Sequence, residues 1–259
     1  MERIRGIGAL CYGLICYVIF FLTFLYLIGF IGNFAVPKSI DSGPVGSLGW
    51  ALAVNIALLA LFGLQHSVMA RPGWKRPFTR IVPRSIERST YVLASSVALI
   101  VLFWLWRPIP TPLFELRGDI LVGTVTAVYL LGYALVLEAT LLIDHFDLFG
   151  LRQVFLRATG QPYTEKRFAT PLLYKHIRHP IYAGWLIAFW VAPAFSVGHL
   201  LFASALTMYI LIAVPLEERD LAAQLGEPYE KWRAETPALV PRIGRRVRSQ
   251  PVRVSEEAR

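Results

Sequence analysis

A membrane span takes about 20 consecutive, mostly apolar residues, and this chain supplies such runs one after another. Gly8 to Ile31 carries no charge. Leu48 to Met69 holds only Asn55, Gln65 and His66 as strongly polar members, Thr90 to Trp106 is a third run, and Ile120 to Ile143 is a fourth, interrupted by Glu138. Ile181 to Leu216 is too long for one span; Pro193 and Gly198 near its middle read as a tight turn between two helices. At 56% hydrophobic residues the 259-residue chain lies outside ordinary soluble composition. The expected fold class is an all-α polytopic membrane protein of about six hydrophobic helices, the last two forming a helical hairpin.

The basic residues set the expected orientation. With a cytoplasmic N-terminus and six crossings, the cytoplasmic segments hold Arg3 and Arg5, six Lys/Arg between 71 and 88, six between 152 and 178 and nine after 216, leaving only Lys38, Arg107 and Arg117 of the 26 outside. That bias follows the positive-inside rule and places both termini in the cytoplasm. The net charge of +9 then suits anionic lipid headgroups as partners, with no nucleic acid needed. The first run is too long for a cleaved signal peptide and no small-x-small site follows it, so it is expected to remain as a span. Cys11 and Cys16 within it form no metal or disulfide pattern and read as packing or lipid-facing residues; no metal is expected.

The chain reads as one membrane domain without repeats. Residues 1–143 supply four spans, 144–243 an interfacial loop, the hairpin and a polar extension, and 244–259 a basic, apolar-poor tail expected to be disordered. The loop after Arg107 carries Pro108, Pro110 and Pro112 and reads as short and stiff. Phe146, Leu148, Leu151, Val154 and Phe155 recur at roughly helical spacing and predict an amphipathic helix at the interface. The last helix is expected to continue past Pro215 to about Leu225, break at Gly226 and Pro228, and resume.

This topology brings polar residues to one leaflet. His66 ends span two, Asp144 and His145 end span four, Arg178, His179 and Tyr182 open span five, and Glu217, Glu218 and Arg219 close span six. Such groups are costly beside lipid, which points to a shared site. Pro180 suits the first helical position, with His179 extended before it. The N–H groups there make an anion site, to which Arg178 adds a bidentate partner, while the acids opposite suit an ammonium group or ribose hydroxyls. Gly184, Ala188 and Ala192 allow close helix approach across the hairpin. Each feature also has a structural reading: lipid anchoring for Arg178, helix punctuation for Pro180 and Gly184, a solvated helix for 217–220, interfacial hydrogen bonding for His66 and His145. Glu138 lies seven residues before His145, on the same helix face, as a functional candidate or a helix-pairing group. His199 falls at the opposite leaflet.

Arg-His-Pro-x-Tyr-x-Gly at 178–184, Glu-Glu-x-x-Leu at 217–221, Gly-x-x-Tyr-x-x-Trp at 226–232 and Pro237 to Pro241 together resemble the C-terminal half of the isoprenylcysteine carboxyl methyltransferase and phospholipid methyltransferase superfamily. Leu225 and Trp232 are mild departures, Phe and Tyr being common there. The resemblance implies S-adenosylmethionine as methyl donor, bound at the cytoplasmic face by His176, Arg178, His179, Pro180, Tyr182, Gly184, Glu217, Glu218, Arg219, Tyr229 and Trp232. His66 to Pro72, Asp144 to Val154 and Thr170 to Tyr174 narrow the resemblance to the bacterial methanethiol S-methyltransferase family. That implies methanethiol as acceptor, dimethyl sulfide as product and the bacterial cytoplasmic (inner) membrane as location.

Methyl transfer from a sulfonium is an in-line displacement that depends on positioning, and a thiol attacks well only once deprotonated. His66, Asp144, His145 and Tyr182 are the candidate catalytic residues, with His145 or His66 as base and the other or Asp144 orienting it. Tyr182 alternatively fixes the thiol or the cofactor. Two other functions compete: methylation of a lipid amine or prenyl-cysteine carboxylate, and a non-enzymatic transporter or accessory role using Glu138 and His66 as an ion path.

Overall fold

The computed structural model describes residues 2–164 and 169–241. The tail expected over 244–259 lies outside the described residues. The protein is mostly helical. In chain order the first helices are α1 (Glu2–Gly32), α2 (Leu48–Ala70), short α3 (Pro72–Phe78), α4 (Arg84–Leu105), α5 (Asp119–Ile143), α6 (His145–Leu148) and α7 (Leu151–Ala158). A 3₁₀ turn (Leu172–Lys175) precedes α8 (Pro180–Trp190), α9 (Val197–Leu225) and α10 (Glu227–Glu235). Five of these, α1, α2, α4, α5 and α9, are long and apolar enough to cross a membrane.

The sixth expected helix is cut short. α8 has 11 residues, which rise about 16 Å, roughly half the hydrocarbon thickness. The chain then turns extended at Val191 (φ −100°, ψ 104°) and enters strand β2 (Ala194–Ser196). Non-helical backbone among apolar helices needs partners within the protein, and the proline-rich loop provides them. Its strand β1 (Pro112–Glu115) pairs antiparallel with β2. Leu116 N donates to Pro193 O (2.8 Å), Val197 N to Thr111 O (2.9 Å) and Gly198 N to Ile109 O (3.0 Å). The expected tight helical turn is thus a two-stranded sheet.

His199 completes this repair. Phe189 O would accept from residue 193 in a continuing helix, but Pro193 has no N–H. His199 Nε2 donates to it instead, at 2.8 Å. Asn55, fully buried in α2, accepts from Arg107 N (2.9 Å) and donates to Arg107 O (2.7 Å), so the same loop is clamped to a second helix.

The long helices form a ring. α4 lies between α1 and α2, α2 meets α9, α9 meets α8, and α8 packs extensively on α5. α5 returns to α1 through Tyr129, whose hydroxyl donates to Ile28 O at 2.5 Å. Phe30, Leu102, Trp106, Tyr129, Phe189 and Phe202 fill the centre. The amphipathic segment is two pieces, α6 and α7, divided by Gly150 at φ +87°, where an added Cβ would lie 2.7 Å from Ser89 N. α7 packs on α1, with Val154 seated over Gly13.

The small residues of α8 face α5, not the antiparallel neighbour expected from the hairpin. A Cβ on Gly184 would stand 2.7 Å from Gly132 O and 2.9 Å from Val136 N; one on Gly132 would stand 2.8 Å from Ala188 N. Backbone cannot yield as a side chain can, so Gly184→Ala and Gly132→Ala should each cost about 1–3 kcal/mol. Gly123→Ala, which meets open space, should be neutral. Unfolding midpoints in a detergent titration read the difference.

Candidate functional site

α8 begins where the sequence pattern places it. Pro180 is its first residue, free of the need for an N–H, and His179 caps it at φ −125°, ψ 65°. The preceding N–H groups are not left for a ligand. Arg178 N donates to Pro237 O (2.9 Å) and His179 N to Ala238 O (3.0 Å), so the segment after α10 lies along the start of α8.

Glu218 is the centre of the cluster. Its Oε1 accepts from Arg178 Nε at 2.7 Å and lies 2.9 Å from His179 Nε2. Arg178 Nη1 also donates to Arg233 O (2.9 Å) and to Thr236 O. The guanidinium expected to grip a ligand carboxylate is therefore committed to the protein's own carboxylate and carbonyls. Next to it, Tyr182 Oη donates to Glu217 Oε2 at 2.9 Å, and His179 Nδ1 stands 4.0 Å from that same oxygen. The Glu217 side chain is 44% exposed against 11% for Glu218, so Glu217 is the acid presented outward.

Tyr229 is buried beside this cluster and meets Trp232 at a tilt, 5.6 Å between ring centroids; Trp232 Nε1 donates to Tyr174 O at 3.2 Å. Burial, then the Glu218 carboxylate, pushes the Tyr229 phenol up to about 12. Burial, then Glu217, likewise raises Tyr174. Both phenols stay protonated near neutral pH.

His66 sits on α2 among residues that hydropathy alone does not mark. Its Nε2 lies 2.9 Å from Tyr91 Oη and its Nδ1 3.1 Å from Ser95 Oγ. Phe62 stacks on the ring at 5.4 Å and Tyr209 of α9 meets it edge-on at 6.3 Å. Ser67 Oγ donates to Tyr209 Oη at 3.3 Å. One step further, Arg71 at the end of α2 pairs with Asp220 at 2.7 Å. Tyr209 and Asp220 lie on α9, the helix that also carries Glu217 and Glu218, so α9 links this cluster to the α8–α9 cluster. Tyr91, Ser95 and Tyr209 escape a reading that treats span aromatics as core; the signal for them is a polar stripe of Tyr91, Ser95 and Ser96 within a span.

Asp144 and His145 lie in a different cluster. Asp144 has a left-handed backbone (φ 105°) and its carboxylate accepts from Asp147 N at 3.2 Å, ending α5 and starting α6. His145 Nε2 lies 2.8 Å from Tyr17 Oη and Nδ1 2.9 Å from Thr140 Oγ1, with Phe149 against the ring. Among the described residues no side chain bonds to both His145 and His66. The break at Asp144 also separates His145 from Glu138: His145 is buried, while Glu138 is exposed on the outer face of α5. His176 and Arg219 are likewise exposed, and Gly184 is spent on the contact with α5. No group of three or more metal-ligating side chains occurs among the described residues.

Five long apolar helices with a polar cluster at the ends of two of them define the class as an integral membrane protein. The chain is 49% identical over 243 residues to methanethiol S-methyltransferase 2 of Bradyrhizobium diazoefficiens, covering 94% of this chain and 93% of that protein. It is 49% identical to the methanethiol S-methyltransferase of Mycobacterium tuberculosis, covering 89% and 94%, and 29% identical to nurim of Xenopus laevis, covering 81% and 80%. It belongs to the methanethiol S-methyltransferase family and is a methyltransferase. No family model matches the chain, and no solved structure matches it.

Arg178→Gln should release the segment at 237–238 from α8; limited proteolysis of the polar extension should accelerate at least about tenfold, and Arg178→Lys should restore only part of the protection. His145 gives a pH signature. Burial lowers its imidazole below the ordinary 6.5, so the folded protein favours the neutral ring and protonation favours the unfolded chain. The contribution is complete above about 6.5 and is lost as pH falls through the lowered folded value. Wild-type unfolding midpoints should therefore drop on acidification below about 6.5, and His145→Gln should flatten that drop.

Proposed function

We propose that this protein transfers a methyl group from S-adenosylmethionine to the sulfur of methanethiol, giving dimethyl sulfide, at the cytoplasmic face of the bacterial inner membrane. The names of its relatives supply the acceptor. The observation that carries the site is that α9 holds Tyr209 against His66 and Glu217 against Tyr182, beside the Arg178–Glu218–His179 cluster.

S-adenosylmethionine supplies an electrophilic methyl on a cationic sulfur. The residues present fit such a donor. Glu217 offers an outward carboxylate for an ammonium group or ribose hydroxyls, and the phenols of Tyr182 and Tyr209 add the faces and hydroxyl oxygens that a cation favours. Arg178 and Glu218 hold the wall behind Glu217, and Tyr229 and Trp232 back it. We assign His66 the role of taking a proton from the acceptor. Asp144 and His145 shape the junction of α5, α6 and α1. In this reading residues 1–143 serve the acceptor and 144–243 the donor.

The crossings follow the same logic. α8 together with the extended residues 191–196 makes the sixth passage, running back beside α9. The pairs 182 with 217 and 190 with 207 progress in opposite senses along the two segments. Both termini then lie in the cytoplasm, with the basic excess.

Cells expressing the chain and fed methanethiol should release dimethyl sulfide by headspace gas chromatography. Retained donor binding without that product would redirect the reading to a larger lipid acceptor. Glu217→Gln should weaken S-adenosylmethionine binding by about ten- to a hundredfold in calorimetry; an unchanged affinity overturns the placement of the donor.

A further inference from the structure

Lys38 and Arg107 are two of the three basic residues that fall outside the basic clusters of the sequence, and the fold brings their segments together. Trp106 Nε1 donates to Ile40 O at 2.9 Å, and Asn55 holds the backbone of Arg107. In a continuing helix Trp104 O would accept from residue 108, but that residue is proline. The Lys38 ammonium donates to this carbonyl instead. An ammonium has three protons to donate, so two remain. Among the described residues no carboxylate forms an ion pair with Lys38. Asp41, the acid nearest in sequence, spends its oxygens on Asn33 and Ser196.

Below Lys38 a groove of about 460 Å³ runs between α1 and α4, a size that suits a bound small molecule. Ile19, Leu22 and Tyr26 line it from α1, and Ile100, Phe103 and Trp104 from α4. Tyr26 and Phe103 stack at 5.1 Å and close its floor. The hydroxyls in the lining are satisfied within the protein: Tyr26 donates to Lys38 O at 3.0 Å and Thr23 to Ile19 O at 2.7 Å. The groove therefore presents apolar walls and one ammonium. Leu22, Ile100 and Trp104 are exposed along its rim. Ile19 lies near the middle of α1, and from there to Tyr26 the helix rises about 10 Å. One leaflet's hydrocarbon is about 15 Å deep, so the ammonium stands where a headgroup would.

The groove opens on the leaflet opposite the Glu217 cluster. Gly198, at the start of α9, bonds Ile109, whereas Glu217 and Glu218 lie towards the far end of that 29-residue helix. We propose that the groove is a binding site for an anionic glycerophospholipid of that leaflet, with one acyl chain between α1 and α4 and the phosphate accepting from Lys38. Charge and shape together select this occupant. A purely apolar molecule leaves the ammonium beside lipid without a counter-charge, which is costly. A small free anion leaves the apolar walls unused. The segment of Arg107 beside Lys38 also disfavours a headgroup that carries its own cation. Burial, then the positive charge of Arg107, lowers the Lys38 pKa, and a phosphate at this place offsets both.

Any lipid-facing groove meets acyl chains, so the test reads headgroup preference. Trp104 on the rim is the probe. The protein is reconstituted in phosphatidylcholine vesicles with a minor share of lipid brominated in its acyl chains, either phosphatidylglycerol or phosphatidylcholine. The quenching that disappears in Trp104→Phe isolates this residue from the other tryptophans. Half-quenching of Trp104 should need about fivefold less brominated phosphatidylglycerol than brominated phosphatidylcholine. Lys38→Gln, which keeps a donor for Trp104 O and removes the charge, should bring that ratio to about one, and Lys38→Arg should keep the preference. The wild-type ratio decides even if Lys38→Gln misfolds: equal quenching by the two lipids overturns the proposal. No quenching of Trp104 by either lipid overturns it as well, and so does a preference that survives in Lys38→Gln. None of these readings depends on the methyl-transfer reaction.

Discussion

Glu218 joins three parts of the chain that lie far apart in sequence. It accepts a hydrogen bond from Arg178 and faces His179, at the start of α8, while it sits on α9 itself; Arg178 then reaches the carbonyls at the end of α10. A partly buried ion pair adds little net stability, because desolvation offsets most of the attraction. Its consequence here is register. With 218 held against 178 and 179, Glu217 must meet Tyr182, and the segment at 237–238 must run along the N–H groups of 178 and 179. The same register presents Tyr209, two turns back along α9, to His66 and Ser67 of α2. One pairing thus aligns the two clusters of the site.

Hydropathy makes five long helices legible because each is a run of apolar residues bounded by charge or proline. It fails at the fifth run for a physical reason. Pro193 and Gly198 mark an interruption, but its form depends on residues 109–116, far back in the chain, whose carbonyls and N–H groups stabilise an extended backbone there. Patterning along one segment does not encode a partner on another. His199 illustrates this: in sequence it is a stray polar residue, and in the fold it replaces the N–H that Pro193 lacks.

The site divides the same way. Arg178, His179, Tyr182, Glu217 and Glu218 were legible because charge clusters beside apolar runs demand a reason, and these five do converge. Their individual roles were not: the guanidinium expected for a ligand bonds Glu218 and the carbonyls of 233 and 236, and the segment at 237–238 covers the N–H groups of 178 and 179 just before the helix. His145 and Glu138 part company because Asp144 takes a positive φ, which a helical-wheel argument cannot anticipate. Tyr91 and Tyr209 were hidden by their type, since an aromatic in a span is usually core or interface.

Two histidines stand between hydroxyls in this bundle, and they are held differently. His145 meets the Tyr17 hydroxyl at Nε2 alone and Thr140 at Nδ1, where the Thr140 proton goes to a backbone carbonyl. That is a sparing way to satisfy a ring between membrane helices. His66 meets Ser95 at Nδ1, but the Tyr91 hydroxyl lies within 3.1 Å of both ring nitrogens and so over the ring face. The surroundings differ as well. Phenylalanine rings pack around Tyr17, whereas His66 meets Tyr209 of α9. α9 also carries Glu217 against Tyr182, so the ion pair that sets the register of α9 fixes what faces His66 and leaves His145 untouched.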